Sequence, residues 1–306
     1  MTKSTKRKLK INTRHNLNGL LFASPYIIGL ICFIAYPIGA SFYYSFTDYS
    51  VVAPPEWVGI GNYTDLFLKD ELFWISLWNT VLYTMMVVPF GIIIGVSLAL
   101  LLNTKIKFIA VYRTIYFLPV LVPAVAGAIL WMWVMNPQYG LMNYLLDRLF
   151  RIKGPGWYAD MTWAKPTYVL LSLWGIGYAV VIYLAGLQDV PQELYESAEI
   201  DGATVWHKIR HITLPMITPA VLFNLIMGVI GAFQFFTPAY LMTQGLGGPA
   251  NRALFYNLYL YRMAFLFLRM GNASAMAWIL LIMVLIATLT LFKSSARWVY
   301  YRGELR

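Results

Sequence analysis

ISLWNTVLYTMMVVPFGIIIGVSLALLL, residues 75–102, contains no charged side chain. A helix needs about 20 mostly apolar residues to cross the hydrocarbon of a bilayer, and this stretch exceeds that length. The alternative, a helix at the centre of a soluble core, fits the rest of the chain poorly. Of the 306 residues, 60% are hydrophobic and 12% charged, whereas soluble domains carry about 25% charged residues. Too little polar surface remains to cover a water-soluble globule of this size, so lipid must be the solvent for much of it.

Similar stretches lie at 20–46, 108–135, 167–187, 216–241 and 273–292. The expected fold is therefore all-α, a polytopic membrane protein with six transmembrane helices. Its parts are a basic tail at 1–17, a transmembrane domain at 18–292 and a short tail at 293–306. The first apolar stretch outruns the core of a signal peptide, about 7–15 residues, and is expected to be retained as a span. Trp74, Trp78, Trp131, Trp133 and Trp298 fall near span ends, where amphipathic rings favour the headgroup region.

Charge sets the orientation. With the N-terminus inside, 15 of the 23 lysines and arginines fall on the inner side and 8 on the outer. That bias favours cytoplasmic termini. It also accounts for the net charge of +10 without nucleic acid, since the cations sit between and outside the apolar runs. The span centres are nearly free of charge. A proton- or ion-coupled carrier needs ionisable groups there, so the energy for transport is expected from elsewhere; an ion-coupled secondary transporter is the alternative. Cys32 is the single cysteine, which excludes an intrachain disulfide. Pro89, Pro119, Pro123 and Pro238 fall in or near spans and tend to kink them. Gly91 and Gly95 form a small-xxx-small pair suited to close helix packing.

The connection after the fourth span is unlike the others. QDVPQELYESAEIDGATVWHKIRHITLP, residues 188–215, holds five acids and four potential bases, Lys208, Arg210, His207 and His211. Idle helix–helix connections are usually about 2–8 residues long. Pro191 suits a helix start, and Gly202 after Asp201 suits a helix end. A second amphipathic stretch, 204–212, places Val205, Ile209 and Ile212 on one side and His207, Lys208 and His211 on the other. The expectation is a short helix–turn–helix at the cytoplasmic surface, shaped to enter a partner's groove.

This connection resembles the EAA loop of bacterial ABC importer permeases: Glu-Ala-Ala, three residues, Gly, nine residues, Ile, one residue, Leu-Pro. Here the pattern reads Glu196-Ser197-Ala198, Gly202, Ile212 and Leu214-Pro215, with Ser197 as the one departure. Val58-Gly59-Ile60-Gly61-Asn62-Tyr63, Arg113-Thr114-Ile115-Tyr116-Phe117-Leu118-Pro119 and Thr243-Gln244-Gly245-Leu246-Gly247-Gly248-Pro249 are similar to elements of carbohydrate and glycerol-phosphate permeases of the first-subunit type.

The resemblance implies a subunit of the bacterial inner membrane that forms half of a path for a sugar, oligosaccharide, polyol or related solute. It implies a second permease subunit, two ATPase subunits that bind ATP and Mg, and an extracytoplasmic solute-binding protein. Glu196, Ser197, Ala198, Asp201, Gly202, Ile212, Leu214 and Pro215 would couple the chain to the ATPase. The chain itself lacks a phosphate-binding G-x-x-x-x-G-K-[ST] loop. No catalytic residue, bound cofactor or metal site is expected, because His207 and His211 have no further ligand residue at metal-site spacing. Candidate solute contacts are Asn224, Gln234, Phe235 and Tyr240 in the fifth span, where aromatic faces and amide donors suit a sugar. Interhelical hydrogen bonding is the other role open to the two amides.

Overall fold

The computed structural model describes residues 3–104 and 106–300, and for residues 3–16 the backbone alone. Lys105, Arg302, Arg306 and the side chains of the basic tail up to residue 16, all used in the charge count, lie outside the described residues.

Four helices are long and apolar enough to cross a bilayer, and two bent helix pairs bring the number to as many as six. The first is α1 (Leu17–Tyr44), which passes through a π turn at Ile31–Ala35 and buries none of its apolar window in the chain. The connection that follows is not purely helical. Strands β1 (Thr47–Ser50) and β2 (Ala53–Trp57) pair antiparallel, with Thr47 opposite Trp57. The short helix α2 (Gly61–Leu68) then leads to α3 (Glu71–Leu102), whose N-terminus is capped by Asp70 accepting from the Phe73 N–H at 3.1 Å.

The stretch 108–135, expected as one span, is broken. Its halves α4 (Ile109–Phe117) and α5 (Ala124–Val134) meet at 102°. Pro119 begins a 3-10 turn at Leu118–Leu121, and Val122 before Pro123 is extended at φ −78°, ψ 124°. A residue preceding proline is driven out of the helical region, so the two prolines impose the bend. The helix α6 (Leu141–Phe150) follows in the connection to the fourth stretch. The fourth stretch bends by 51° at Gly175, between α7 (Ala164–Trp174) and α8 (Gly177–Gln188). A side chain on Gly177 would strike the Tyr116 carbonyl, which is how closely α8 approaches α4.

The connection at 188–215 forms α9 (Gln192–Ile200) and α10 (Val205–Lys208). The fifth span is α11 (Thr218–Phe233) continued by α12 (Thr237–Thr243). A folded segment with α13 (Tyr256–Tyr261) precedes the last span, α14 (Met270–Ser295).

Two apolar cores hold these helices. One gathers Phe73, Tyr83, Tyr168, Phe255, Tyr256, Leu258 and Met276. Buried amides stitch it to the outer connections. Asn79 Nδ2 donates to the Asn251 carbonyl at 2.8 Å and the Leu254 carbonyl at 3.0 Å, and Asn62 Nδ2 donates to Ser45 and Thr47. The other core gathers Val96, Ala99, Leu102, Val180, Tyr183, Leu187, Val190 and Ile217. Gly95 makes room there, because a Cβ on it would lie 2.8 Å from Tyr183 Cε2; Gly91 has nothing within 4 Å. Only one member of the glycine pair therefore serves close packing.

Candidate functional site

Residues 188–215 build an elbow on the second core. Pro191, extended at φ −60°, ψ 133°, starts α9. Three side chains seat the elbow: Tyr195, Ile212 and Met216 pack against the core made by α3, α8 and Ile217. The Tyr195 hydroxyl lies 2.9 Å from Thr213 Oγ1, which joins the two arms on their inner side.

The turn between the arms is a Schellman cap. Gly202 N donates to the Glu199 carbonyl at 3.1 Å, and Ala203 N donates to the Ala198 carbonyl at 2.9 Å. The geometry requires a left-handed residue, and Gly202 supplies it at φ +75°. Thr204 caps the next arm by accepting from the His207 N–H at 3.4 Å. Lys208 Nζ reaches back across the turn to Glu199 Oε1 at 2.7 Å. With the Glu199 side chain 64% exposed, such a pair contributes about 0–1 kcal/mol. The second arm then runs through a π turn at Ile209–Thr213 into Leu214–Met216 and α11. The second arm is thus continuous with α11.

Most of the residues singled out for coupling meet at this turn. Glu196, Ser197, Asp201, Gly202 and Leu214 are exposed, and Ala198, Ile212 and Pro215 are half-buried toward the core. The apolar faces differ from the sequence expectation. Val205 does not share the packed side of Ile209 and Ile212; it is 69% exposed. In α9, Tyr195 and Ala198 face inward and Leu194 is exposed. The Gly202 turn swings the first residues of α10 past the core's edge, so periodicity alone assigns them to the wrong surroundings. The result is an exposed apolar tip of Ile200, Val205 and Trp206 at 87%, 69% and 66%. Glu193, Glu196, Asp201 and Arg210 of the same connection are exposed as well. An apolar patch with a polar rim is the mark of a protein-binding surface.

His207 and His211 stack with ring centroids 5.8 Å apart, and His211 Nδ1 lies 3.1 Å from the His207 carbonyl. Among the described residues, no three His, Cys, Asp or Glu side chains gather as a metal set.

Of the four candidate solute contacts, the structure brings two together. Asn224 and Phe235 line a cavity of about 290 Å³ between α3, α7, α8 and α11, with Tyr83, Ser172 and Tyr183. Asn224 Nδ2 donates to the Ala220 carbonyl of its own helix at 3.1 Å, which leaves its oxygen for another partner. Tyr83 Oη and Ser172 Oγ are 2.6 Å apart. Gln234 ends α11 as an exposed residue outside this cavity. Tyr240 packs instead on Phe236 and Tyr261, at centroid distances of 5.5 and 5.2 Å. Sequence reasoning missed Tyr83 and Ser172; the signal was a hydroxyl inside each apolar run.

At the N-terminal end of α3, the Tyr259 hydroxyl donates to Asp70 Oδ2 at 2.6 Å. Burial first, and then the Asp70 carboxylate, pushes the Tyr259 phenol above its usual range. This pair ties α13 to the N-terminus of α3.

A profile of the family described as "Binding-protein-dependent transport system inner membrane component" matches residues 87–300. The chain is 41% identical over 299 residues to the probable ABC transporter permease protein YesP of Bacillus subtilis, covering 97% of this chain and 96% of that one. It is 33% identical over 294 residues to the lactose transport system permease protein LacF of Rhizobium radiobacter, covering 94% and 97%. Its fold is similar to a chain in the crystal structure of a bacterial ABC transporter involved in alginate import, with a TM-score of 0.82 at 24% identity, covering 95% and 99%.

Proposed function

The chain belongs to the family of binding-protein-dependent transport system inner membrane components, multi-pass permeases of ABC transporters, and from that premise we propose that it forms half of the solute path of a sugar or oligosaccharide importer. In this reading the six apolar stretches are spans and both termini are cytoplasmic. The chain pairs with a second permease subunit, receives solute from an extracytoplasmic binding protein, and draws on ATP and Mg held by two separate ATPase subunits.

The observation that carries the coupling role is the elbow's construction. Its outer side is an apolar tip, Ile200, Val205 and Trp206, that stays exposed among the described residues. Its inner side, Tyr195, Ile212 and Met216, is locked to the core joining α3 and α8. A push on the tip therefore moves helices around the 290 Å³ cavity, since α3, α8 and α11 line both regions. An ATPase dimer that holds the tip differently in its two nucleotide states biases the helix arrangement; without such a difference, ATP shifts nothing.

The cavity is the proposed solute contact of this subunit. Tyr83, Tyr183 and Phe235 offer ring faces, and Asn224, Ser172 and the Tyr83 hydroxyl offer hydrogen bonds, the combination a sugar needs. A sugar-class solute is also consistent with the lactose system in which LacF is named.

The decisive experiment pairs a cysteine at Val205 or Trp206, in a Cys32→Ser background, with cysteines on the co-purified ATPase. Nucleotide-dependent crosslinking in a transporting complex is expected. An elbow that crosslinks only to reagents outside the membrane removes the assignment. Uptake in proteoliposomes should stop on ATP depletion and persist with an ionophore; the reverse result would establish ion coupling.

A further inference from the structure

α6 is amphipathic, yet its apolar side faces away from the protein. Met142, Asn143 and Leu146 turn toward neighbouring segments, whereas Leu141, Tyr144, Leu145, Leu149 and Phe150 are exposed. The helix is held firmly in that attitude. Asn143 Nδ2 donates to the Pro137 carbonyl at 3.0 Å and the Pro155 carbonyl at 3.2 Å, and its Oδ1 accepts from Trp157 Nε1 at 2.6 Å. A side chain on Gly154 would collide with the same amide. This clamp on one side fixes the direction in which the other side points.

Two observations say what covers the exposed side. The chain reaches α6 a few residues after α5 ends at Val134 and runs on into α7 from Ala164, so the segment is tied at both ends to membrane-crossing helices. Exposed Arg148, Arg151 and Lys153 follow one another at the C-terminal end of α6, and Asp147 is the one acid within 147–153. A helix with an apolar face and cations at its edge settles in the headgroup layer, and basic side chains there attract anionic lipid.

We propose that α6 is an interfacial anchor: its apolar face lies among the lipid headgroups of the outer leaflet, and Arg148, Arg151 and Lys153 bind the phosphodiester of an anionic phospholipid. The anchor holds α5 and α7 at a set depth. This rests on the reading of α5 and α7 as parts of spans, and is independent of the solute and of the elbow.

The test uses the assembled transporter in nanodiscs of phosphatidylcholine, with or without phosphatidylglycerol. In a Cys32→Ser background, a fluorophore is placed at Leu149→Cys or, on the opposite face, at Asp147→Cys. Brominated acyl chains are expected to quench the label at 149 and not at 147. Quenching at 149 should rise with phosphatidylglycerol, and the triple variant Arg148→Gln, Arg151→Gln, Lys153→Gln should lose that rise while eluting as the same complex. Equal quenching by aqueous iodide at both positions in every lipid overturns the proposal. Shielding at 149 that arises only with added binding protein also overturns it, in favour of protein docking. Lipid quenching that ignores phosphatidylglycerol overturns the headgroup assignment. No arm depends on uptake, so a failure of the import reading leaves this result interpretable.

Discussion

Gly202 is the position where a single atom tests the coupling role. At φ +75°, a Cβ there would meet nothing within 4 Å among the described residues. Gly202→Ala therefore carries no internal clash, and its whole cost is the left-handed backbone, about 1–2 kcal/mol for an L-residue. That shifts the turn between its capped and uncapped forms by a factor of roughly 5–30. The uncapped form loses the bonds from Gly202 N to Glu199 and from Ala203 N to Ala198, and with them the angle between the arms. The spans do not depend on those bonds, so membrane abundance should stay near wild type. Asn tolerates the left-handed region better, so Gly202→Asn should retain more coupling than Gly202→Ala if only the backbone is at stake. Gly202→Asp adds a charge where the proposed partner sits and should uncouple most. The assay is solute uptake per ATP hydrolysed in proteoliposomes of the full transporter, normalised to permease content. Wild-type coupling in Gly202→Ala at normal abundance would refute the lever; so would a loss of abundance in place of a loss of coupling.

Asn79→Ala should lower the thermal midpoint of the detergent-purified complex, because it unpairs the buried carbonyls of Asn251 and Leu254 at a cost of about 1–3 kcal/mol; an unchanged midpoint would show that water replaces the amide. Gly95→Ala should destabilise by about 1–3 kcal/mol through overpacking against Tyr183, whereas Gly91→Ala, in open space, should be near neutral by the same measurement. Tyr83→Phe keeps the ring and removes the hydroxyl 2.6 Å from Ser172; uptake kinetics should show a raised KM with normal ATPase activity if the cavity holds solute, and an unchanged KM would remove Tyr83 from the path. Tyr259→Phe deletes a hydrogen bond to the Asp70 carboxylate, worth about 1.5–3 kcal/mol, and should loosen the outer end of α3 as seen by faster amide exchange there.

The elbow and the spans were legible in sequence to different degrees. The helix–turn–helix of the elbow was recognisable because the turn is local: Gly202, Thr204 and Pro191 each set the backbone within a few residues. What the apolar residues of the elbow touch was not. Val205 and Ile209 are four apart and read as one face, yet Val205 projects beyond the core on which the elbow rests. For the solute contacts, Asn224 and Phe235 were separated from Gln234 and Tyr240 by the course of the chain after α11. Gln234 caps the helix end, and Tyr240 joins Phe236 and Tyr261 instead.

The sequence by itself established that this protein lives in lipid and where most of its long apolar helices lie, and it singled out the connection expected to meet a partner. Those properties follow from transfer free energies and backbone preferences that act over one or two turns. The 102° break at Pro119 and Pro123, the cavity formed by Tyr83, Ser172 and Asn224, and the outward face of α6 were decided only in the folded chain. They depend on contacts such as that from Asn79 to Leu254, across 175 positions. No local pattern encodes which distant carbonyl a buried amide will reach, because its energy exists only once the helices between them have packed.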